Sequence, residues 1–353
     1  MTHKKIGVGI LGATGSVGQR FVQLLTHHPL FEITALAASE RSQGKPYGEA
    51  VNWLLQTPLS PAIAALHLRP CQPDLPCEIV FSGLDSLVAG TIEAQFMEAG
   101  YIVHSNARNY RMQENVPLLV AEVNPDHLAL LNSQTTSGKI ITNPNCSTIG
   151  LSLAIKPLLD RFGIEALHVV TLQAISGAGY PGIASLDILD NVVPFIDKEE
   201  EKMETESLKI LGKLQNNRIA PETFRMSAQC NRVSVSDGHI ECVSVKFRTK
   251  ATEKEVIRCW EEFSGKPQEF RLPSAPLHPI HYFYEKQYPQ PKLHRELDKG
   301  MAVSVGRLRP CPLFDYKFVI LSHNTIRGAA GGAILNAELC HRLEHVVNCS
   351  WSL

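Results

Sequence analysis

What this 353-residue chain lacks narrows its function first. It has no stretch of about 18 consecutive apolar residues, so no segment reads as a membrane-spanning helix. The formal net charge is only −1, which removes any electrostatic pull toward nucleic acid or an anionic membrane. Nine cysteines are scattered without a single C-x-x-C pair, so zinc-site spacing is missing and no metal is expected. An odd number of thiols with no framework spacing fits reduced cysteines in a cytosol. The start, Met1-Thr2-His3-Lys4-Lys5, runs straight into a strand-like segment without an apolar h-region, so it does not read as a signal peptide. No internal repeat or low-complexity tract appears. The remaining composition, 44% hydrophobic and 20% charged, is ordinary for a globular protein, and the length allows two domains with sizeable cores. A soluble cytoplasmic protein is expected.

The first 145 residues alternate short strands and helical segments. Lys5 to Leu11, Glu32 to Ala38, Cys77 to Ser82 and Tyr101 to Ser105 read as strands, and Gln19 to Leu25 and Ala89 to Ala99 as helices. This alternation predicts a parallel sheet built from βαβ units. Beyond it, Ile149 to Phe162 reads as a helix and Ala166 to Ile175 as a long strand. Val233 to Val235 and Glu241 to Thr249 read as antiparallel strands around an Asp237-Gly238 turn. Thr252 to Phe263 reads as a helix, Met301 to Leu308 and Tyr316 to Leu321 as strands, and Gly328 to Leu343 as a helix. Pro273 to Pro291 reads as a loop.

Gly12-Ala13-Thr14-Gly15-Ser16-Val17-Gly18 follows the first strand and opens the first helix. Glycines there let the backbone turn sharply and approach a pyrophosphate, whose charge sits at a helix N-terminus. The loop therefore predicts a dinucleotide site. At the end of the second strand stand Ser39, Glu40, Arg41 and Ser42. Hydroxyls and a guanidinium suit a 2′-phosphate, which favours NADP, whereas Glu40 turned toward the ribose would favour NAD. Further on, Asn143-Pro144-Asn145-Cys146-Ser147-Thr148 places one cysteine in a polar turn ahead of an apolar helix. A thiol near a helix N-terminus gains thiolate character and can form a covalent intermediate with a carbonyl substrate.

These motifs, with LQAISGAGYPG at 172–182, RVSVSDGH at 232–239 and NTIRGAAGG at 324–332, resemble the aspartate-β-semialdehyde dehydrogenases over nearly the whole chain. The resemblance is to the branch found in archaea, fungi and some bacteria. It implies that Cys146 is the nucleophile and His239 the acid/base, although with 14 histidines residue type alone singles out none. It implies that Arg232 grips the substrate α-carboxylate. Glu200 and Lys202 match its Glu-x-Lys pair, for the substrate ammonium and phosphate, though three glutamates in a row leave the register open. Arg111 matches its phosphate-binding arginine, with Arg108 a rival. Asn145 would polarise the substrate or hold the loop, Gln173 would lie near the substrate and nicotinamide, Ser176 and Gly177 would touch the nicotinamide, and Asn324 would contact the cofactor.

The implied reaction is NADPH-dependent reductive dephosphorylation of L-4-aspartyl phosphate to the semialdehyde through a Cys146 thioester, on the route to lysine, methionine and threonine. Two rivals stay open: a coenzyme A thioester reductase on the same scaffold, and a non-enzymatic NADP-binding regulator. The implied fold is α/β. A Rossmann-like N-terminal sheet (1–145) would be joined to an α+β catalytic and dimerisation domain (146–323), and a C-terminal helix (324–353) would return to the first domain. A homodimer or homotetramer is implied.

Overall fold

The computed structural model describes residues 5–343; Cys349 and the end of the expected C-terminal segment lie outside the described residues. Two sheets organise the chain. The first contains β1 (Ile6–Leu11), β2 (Phe31–Ala38), β3 (Arg69–Pro70), β4 (Ile79–Ser82), β5 (Ile102–Ser105) and β6 (Lys139–Thr142). All pair in parallel in the order β3-β2-β1-β4-β5-β6. Strand β4 and strand β5 are buried at every residue, which is why they read as continuous apolar runs. The strand order reverses between β1 and β4, so the loop after β1 opens at a topological switch point. Helix α1 (Ser16–Leu25) lays Phe21, Val22 and Leu25 on this sheet. Helix α2 (Ser86–Glu98) is N-capped by the Asp85 side chain.

The second sheet contains β7 (Ile164–Gln173), β8 (Val192–Val193), β11 (Arg225–Val233), β12 (His239–Phe247), β13 (Ile280–Phe283), β14 (Val303–Pro310) and β15 (Tyr316–Ser322). Its order is β13-β14-β15-β12-β7-β11-β8, with mixed directions. Strands β9 (Lys213–Gln215) and β10 (Arg218–Ala220) form a separate pair. Helix α3 (Cys146–Phe162), helix α4 (Glu199–Ile210) and helix α5 (Glu253–Glu261) belong to this half. Along β7, Leu167, Val169, Thr171 and Gln173 are buried. The intervening Ala166, His168 and Val170 are half-buried and Leu172 is exposed, so one face of the sheet is left open.

The expected hairpin at Asp237-Gly238 is not formed. Strand β7 lies between β11 and β12, parallel to the first and antiparallel to the second. The aliphatic β7 needs a partner on both edges. The connection therefore passes over its C-terminal end, with Gly238 in the left-handed region at φ +96°. The expected proline-rich loop contains β13, held in parallel against β14 at the edge of the sheet, where prolines can flank a strand. Near the C-terminus, a π-helical turn (Ile326–Ala330) precedes α6 (Gly331–Leu343), whose apolar residues join the core of the first sheet.

Candidate active site

The glycine loop closes tightly after β1. Gly12 has φ +73°, and a Cβ there would lie 2.9 Å from the Gly83 carbonyl oxygen. A Cβ on Gly18 would run into the Gly12 carbonyl oxygen, so α1 can start this close to β1 only without a side chain at that position. Gly15 is the α1 N-cap, with Ser16 as the first helical residue. Thr14, Ser16 and Val17 are half-buried around the turn. Ser39 and Arg41 are exposed and Ser42 half-buried just past the end of β2. A cleft of about 270 Å³ runs from Ser16 and Arg20 to Ser176, Tyr180, Asp237 and Thr325. The loop is thus shaped for a pyrophosphate, and the cleft leads from it toward the second sheet.

Cys146 is the first residue of α3, not a residue of the turn before it. Asn145 is the N-cap: its Oδ1 accepts from the backbone N–H of Ser147 (3.0 Å) and Thr148 (3.3 Å). Its Nδ2 donates to Glu199 Oε1 at 2.8 Å. The Asn145 amide therefore holds the helix end and a carboxylate.

His239, at the start of β12, puts Nε2 3.3 Å from Cys146 Sγ. Its Nδ1 accepts the backbone N–H of Ala174 at 3.0 Å. A backbone N–H can only donate, so Nδ1 carries a lone pair and the proton of the neutral ring sits on Nε2, aimed at the sulfur. His239 is thereby set as a donor toward the reacting atoms. Burial, then Arg232 and His323, hold its pKa well below the ordinary histidine value, so the ring stays neutral.

Arg232, at the end of β11, donates from Nη1 to the Ala174 carbonyl at 2.8 Å and is buried. Gly177 packs against both groups; a Cβ there would lie 2.7 Å from Arg232 Nη1 and 3.4 Å from His239 Nε2. Gln173 Nε2 donates to Glu199 Oε1 at 3.1 Å. Asn324 is engaged within the chain: its Oδ1 accepts from the Gly238 N–H (2.9 Å) and its Nδ2 donates to Ser176 Oγ (2.8 Å). It ties the Ser176 loop to the connection ahead of His239.

The structure does not bring Glu200 into this cluster. Glu200 is exposed, and its Oε1 accepts from the Cys230 N–H. Glu199, at the start of α4, is the buried one. It receives Asn145 and Gln173 on Oε1 and Lys202 Nζ on Oε2 at 3.1 Å. One helical position is a rotation of about 100°, enough to swing a side chain from the site to the surface. Arg111 reaches the cluster and is buried, donating to Glu206 (2.9 Å) and to the Asn106 carbonyl (2.7 Å), while Arg108 is exposed.

The helix N-terminus does not by itself make the thiol acidic. Burial pushes Cys146 up to about 12, the Glu199 carboxylate adds to the rise, and Arg232 and Arg111 pull the other way. In the free protein the thiol is protonated, and neutralising Glu199 would lower its pKa.

A glycine loop at a sheet switch point, opening toward a cysteine whose sulfur receives a histidine N–H, defines a dinucleotide-dependent dehydrogenase working through a thiol. The comparisons narrow the class. Residues 7–131 match the family model "Semialdehyde dehydrogenase, NAD binding domain", and residues 155–327 match "Semialdehyde dehydrogenase, dimerisation domain". The aspartate-semialdehyde dehydrogenase of Saccharomyces cerevisiae is 49% identical over 96% of this chain and 98% of its own. That of Methanothermobacter thermautotrophicus is 47% identical over 96% and 99%. Among solved structures, the Candida albicans aspartate semialdehyde dehydrogenase with NADP superposes at TM-score 0.89, with 45% identity over 95% of this chain and 98% of that one. The chain belongs to the aspartate-semialdehyde dehydrogenase family.

Proposed function

We propose that this chain catalyses the reversible, NADPH-dependent reductive dephosphorylation of L-4-aspartyl phosphate to L-aspartate 4-semialdehyde, in lysine, methionine and threonine biosynthesis in the cytoplasm. The observation that carries the reading is the 3.3 Å His239 Nε2 to Cys146 Sγ contact, assembled beside Arg232 and Glu199.

The residues fit the cofactor. Gly12 and Gly18 leave no room for side chains where the pyrophosphate approaches. Arg41 with Ser39 and Ser42 offers the donors a 2′-phosphate needs. Ser176, held by Asn324, lines the cleft where the nicotinamide end would lie. Bound there, NADPH supplies hydride to the acyl carbon of the thioester.

Arg232 pairs with the α-carboxylate, for which a planar guanidinium is suited. Glu199 meets the ammonium and so loses its influence on the thiol, which favours the thiolate once substrate is seated. Lys202 and Arg111 take the phosphoryl group. As the Cys146 sulfur attacks the acyl carbon, the bond from carbon to the phosphate oxygen breaks, and the departing phosphate carries away the thiol proton. After reduction, the His239 Nε2–H supports the tetrahedral oxyanion. Collapse breaks the carbon–sulfur bond and returns the thiolate with free aldehyde. Covalent catalysis replaces one hard step with two easier ones.

We place the unit boundaries at 1–145, 146–323 and 324–353; the extents of the two sheets and the packing of α6 on the first support this division. The open face of the second sheet, with Leu172 exposed on it, is the surface where copies of this chain would meet as a homodimer or homotetramer.

The test is NADP reduction by aspartate semialdehyde in the presence of phosphate, with malonyl-coenzyme A and NADPH as the alternative substrate pair. Turnover with the first and none with the second is expected; the reverse would transfer the reading to a coenzyme A thioester reductase. A flat assay with both, while NADPH still binds, would make the chain a non-enzymatic binder.

A further inference from the structure

One face of α4 carries Glu199, Lys202, Glu206 and Lys209, spaced i, i+3, i+7 and i+10, so the four side chains line up along the helix. The first two belong to the substrate cluster described above. Glu206 and Lys209 have no place in it, yet both are buried and both reach out of the second half of the chain.

Glu206 spends its two oxygens on two different groups. Oε1 pairs with Arg111 Nη1 at 2.9 Å. Oε2 accepts the backbone N–H of Asn145, the residue before the nucleophile, at 2.7 Å. Lys209 uses all three protons of its ammonium on carbonyls of the loop that carries Arg111: Arg111 (2.7 Å), Gln113 (2.7 Å) and Val116 (3.0 Å). Arg111 Nη2 in turn donates to the Asn106 carbonyl at 2.7 Å. The guanidinium is therefore fixed on two edges, while its buried Nε–H has no hydrogen-bond partner among the described residues. A buried charged donor left in that state is suited to an incoming anion.

We propose that Glu206 and Lys209 are positioning residues that hold the anion-binding Arg111 and the Asn145–Cys146 start of α3 in one register. Helix α4 then latches the phosphate-binding loop of the first sheet to the nucleophile of the second. The inference rests on Arg111 as the phosphate ligand. A buried ion pair with only a structural role would need no particular second acceptor; here the second oxygen goes to the backbone amide that precedes the nucleophile. Precise placement matters because misplacing a reacting group by about 1 Å can cost on the order of a hundredfold in rate.

The test uses the full-length enzyme in the oxidative direction, with inorganic phosphate as the probe. The KM for phosphate and the KM for semialdehyde are measured separately in wild type, Arg111→Ala, Glu206→Gln and Glu206→Asp. Glutamine keeps the shape but offers one acceptor oxygen, so it cannot serve both partners. Glu206→Gln should raise the KM for phosphate about tenfold or more, with the KM for semialdehyde within about twofold. Adding Arg111→Ala to Glu206→Gln should then change the phosphate KM less than it does alone. Glu206→Asp keeps the charge with a shorter reach and should fall between wild type and the glutamine variant; it provides the test should the glutamine variant not fold. If Arg111→Ala raises the phosphate KM but neither Glu206 variant does, the positioning role is overturned and the phosphate reading stands. If Arg111→Ala leaves that KM unchanged, the phosphate reading falls and the proposal with it.

Discussion

Gly328 offers the sharpest test of how the C-terminal segment supports the nucleophile. An alanine Cβ at this position would lie 2.7 Å from Cys146 Cβ, 3.0 Å from Cys146 Cα and 3.1 Å from the Cys146 carbonyl oxygen. Ordinary contact begins at 3.4 Å, so about 0.7 Å must be found. Neither side yields easily. Cys146 opens a buried helix, and Gly328 sits in the π-helical turn, where its N–H donates to the His323 carbonyl. The neighbouring Arg327 is pinned to buried Glu122 by two hydrogen bonds of 2.8 and 2.6 Å. Overpacking of this kind costs ~1–3 kcal/mol of stability. Displacing the sulfur by most of an ångström should lower kcat by roughly 10- to 100-fold. Gly328→Ala should therefore show a modest drop in melting temperature and a large drop in kcat, with the cofactor Kd within about twofold of wild type. A kcat within about twofold of wild type would refute the argument that this close approach positions Cys146.

Four further outcomes are expected. Arg232→Lys should raise the KM for semialdehyde by about tenfold or more, because an ammonium cannot reproduce a two-point grip on a carboxylate; an unchanged KM would make the arginine structural. Alkylation of Cys146 by iodoacetamide in the free enzyme should climb about tenfold per pH unit from pH 7 to 10, since the thiolate fraction grows with pH below a pKa pushed up to about 12. A plateau below pH 9 would contradict that. Glu199→Gln removes a charge that raises this pKa, so alkylation at pH 8 should be faster than in wild type, and a slower rate would overturn the coupling. Finally, Gly18→Ala drives a methyl into the Gly12 carbonyl and should abolish measurable NADPH binding; retained binding would show that α1 can retreat from β1.

Much of this was legible in local pattern. The parallel βαβ half follows from short buried runs alternating with helices, and the glycine loop declares itself because only glycine fits where α1 meets β1. What escaped the sequence depends on rotation and long-range pairing. Three consecutive glutamates look alike until α4 fixes which one faces inward. That helix starts after Lys198, which holds a left-handed φ of +55°. Nothing in the local pattern marks Glu206 and Lys209, which are buried by partners about 95 residues away. Asp237-Gly238 signals a turn but cannot say that β7 intervenes between the strands it joins. The apparent thiol activation by the helix N-terminus was a local argument, outweighed by burial and Glu199.

The proposed reaction requires Cys146 to carry the acyl group. Rapid mixing of the enzyme with aspartate semialdehyde and NADP, without phosphate, followed by an acid quench and peptide mass analysis, tests it directly. One NADPH should form per active site in a burst, with an aspartyl adduct confined to the peptide containing Cys146. Both should be absent in Cys146→Ala, whose steady-state rate should fall by far more than a hundredfold. An adduct on another residue, or a Cys146→Ala enzyme that keeps more than about a hundredth of the wild-type rate, would contradict it.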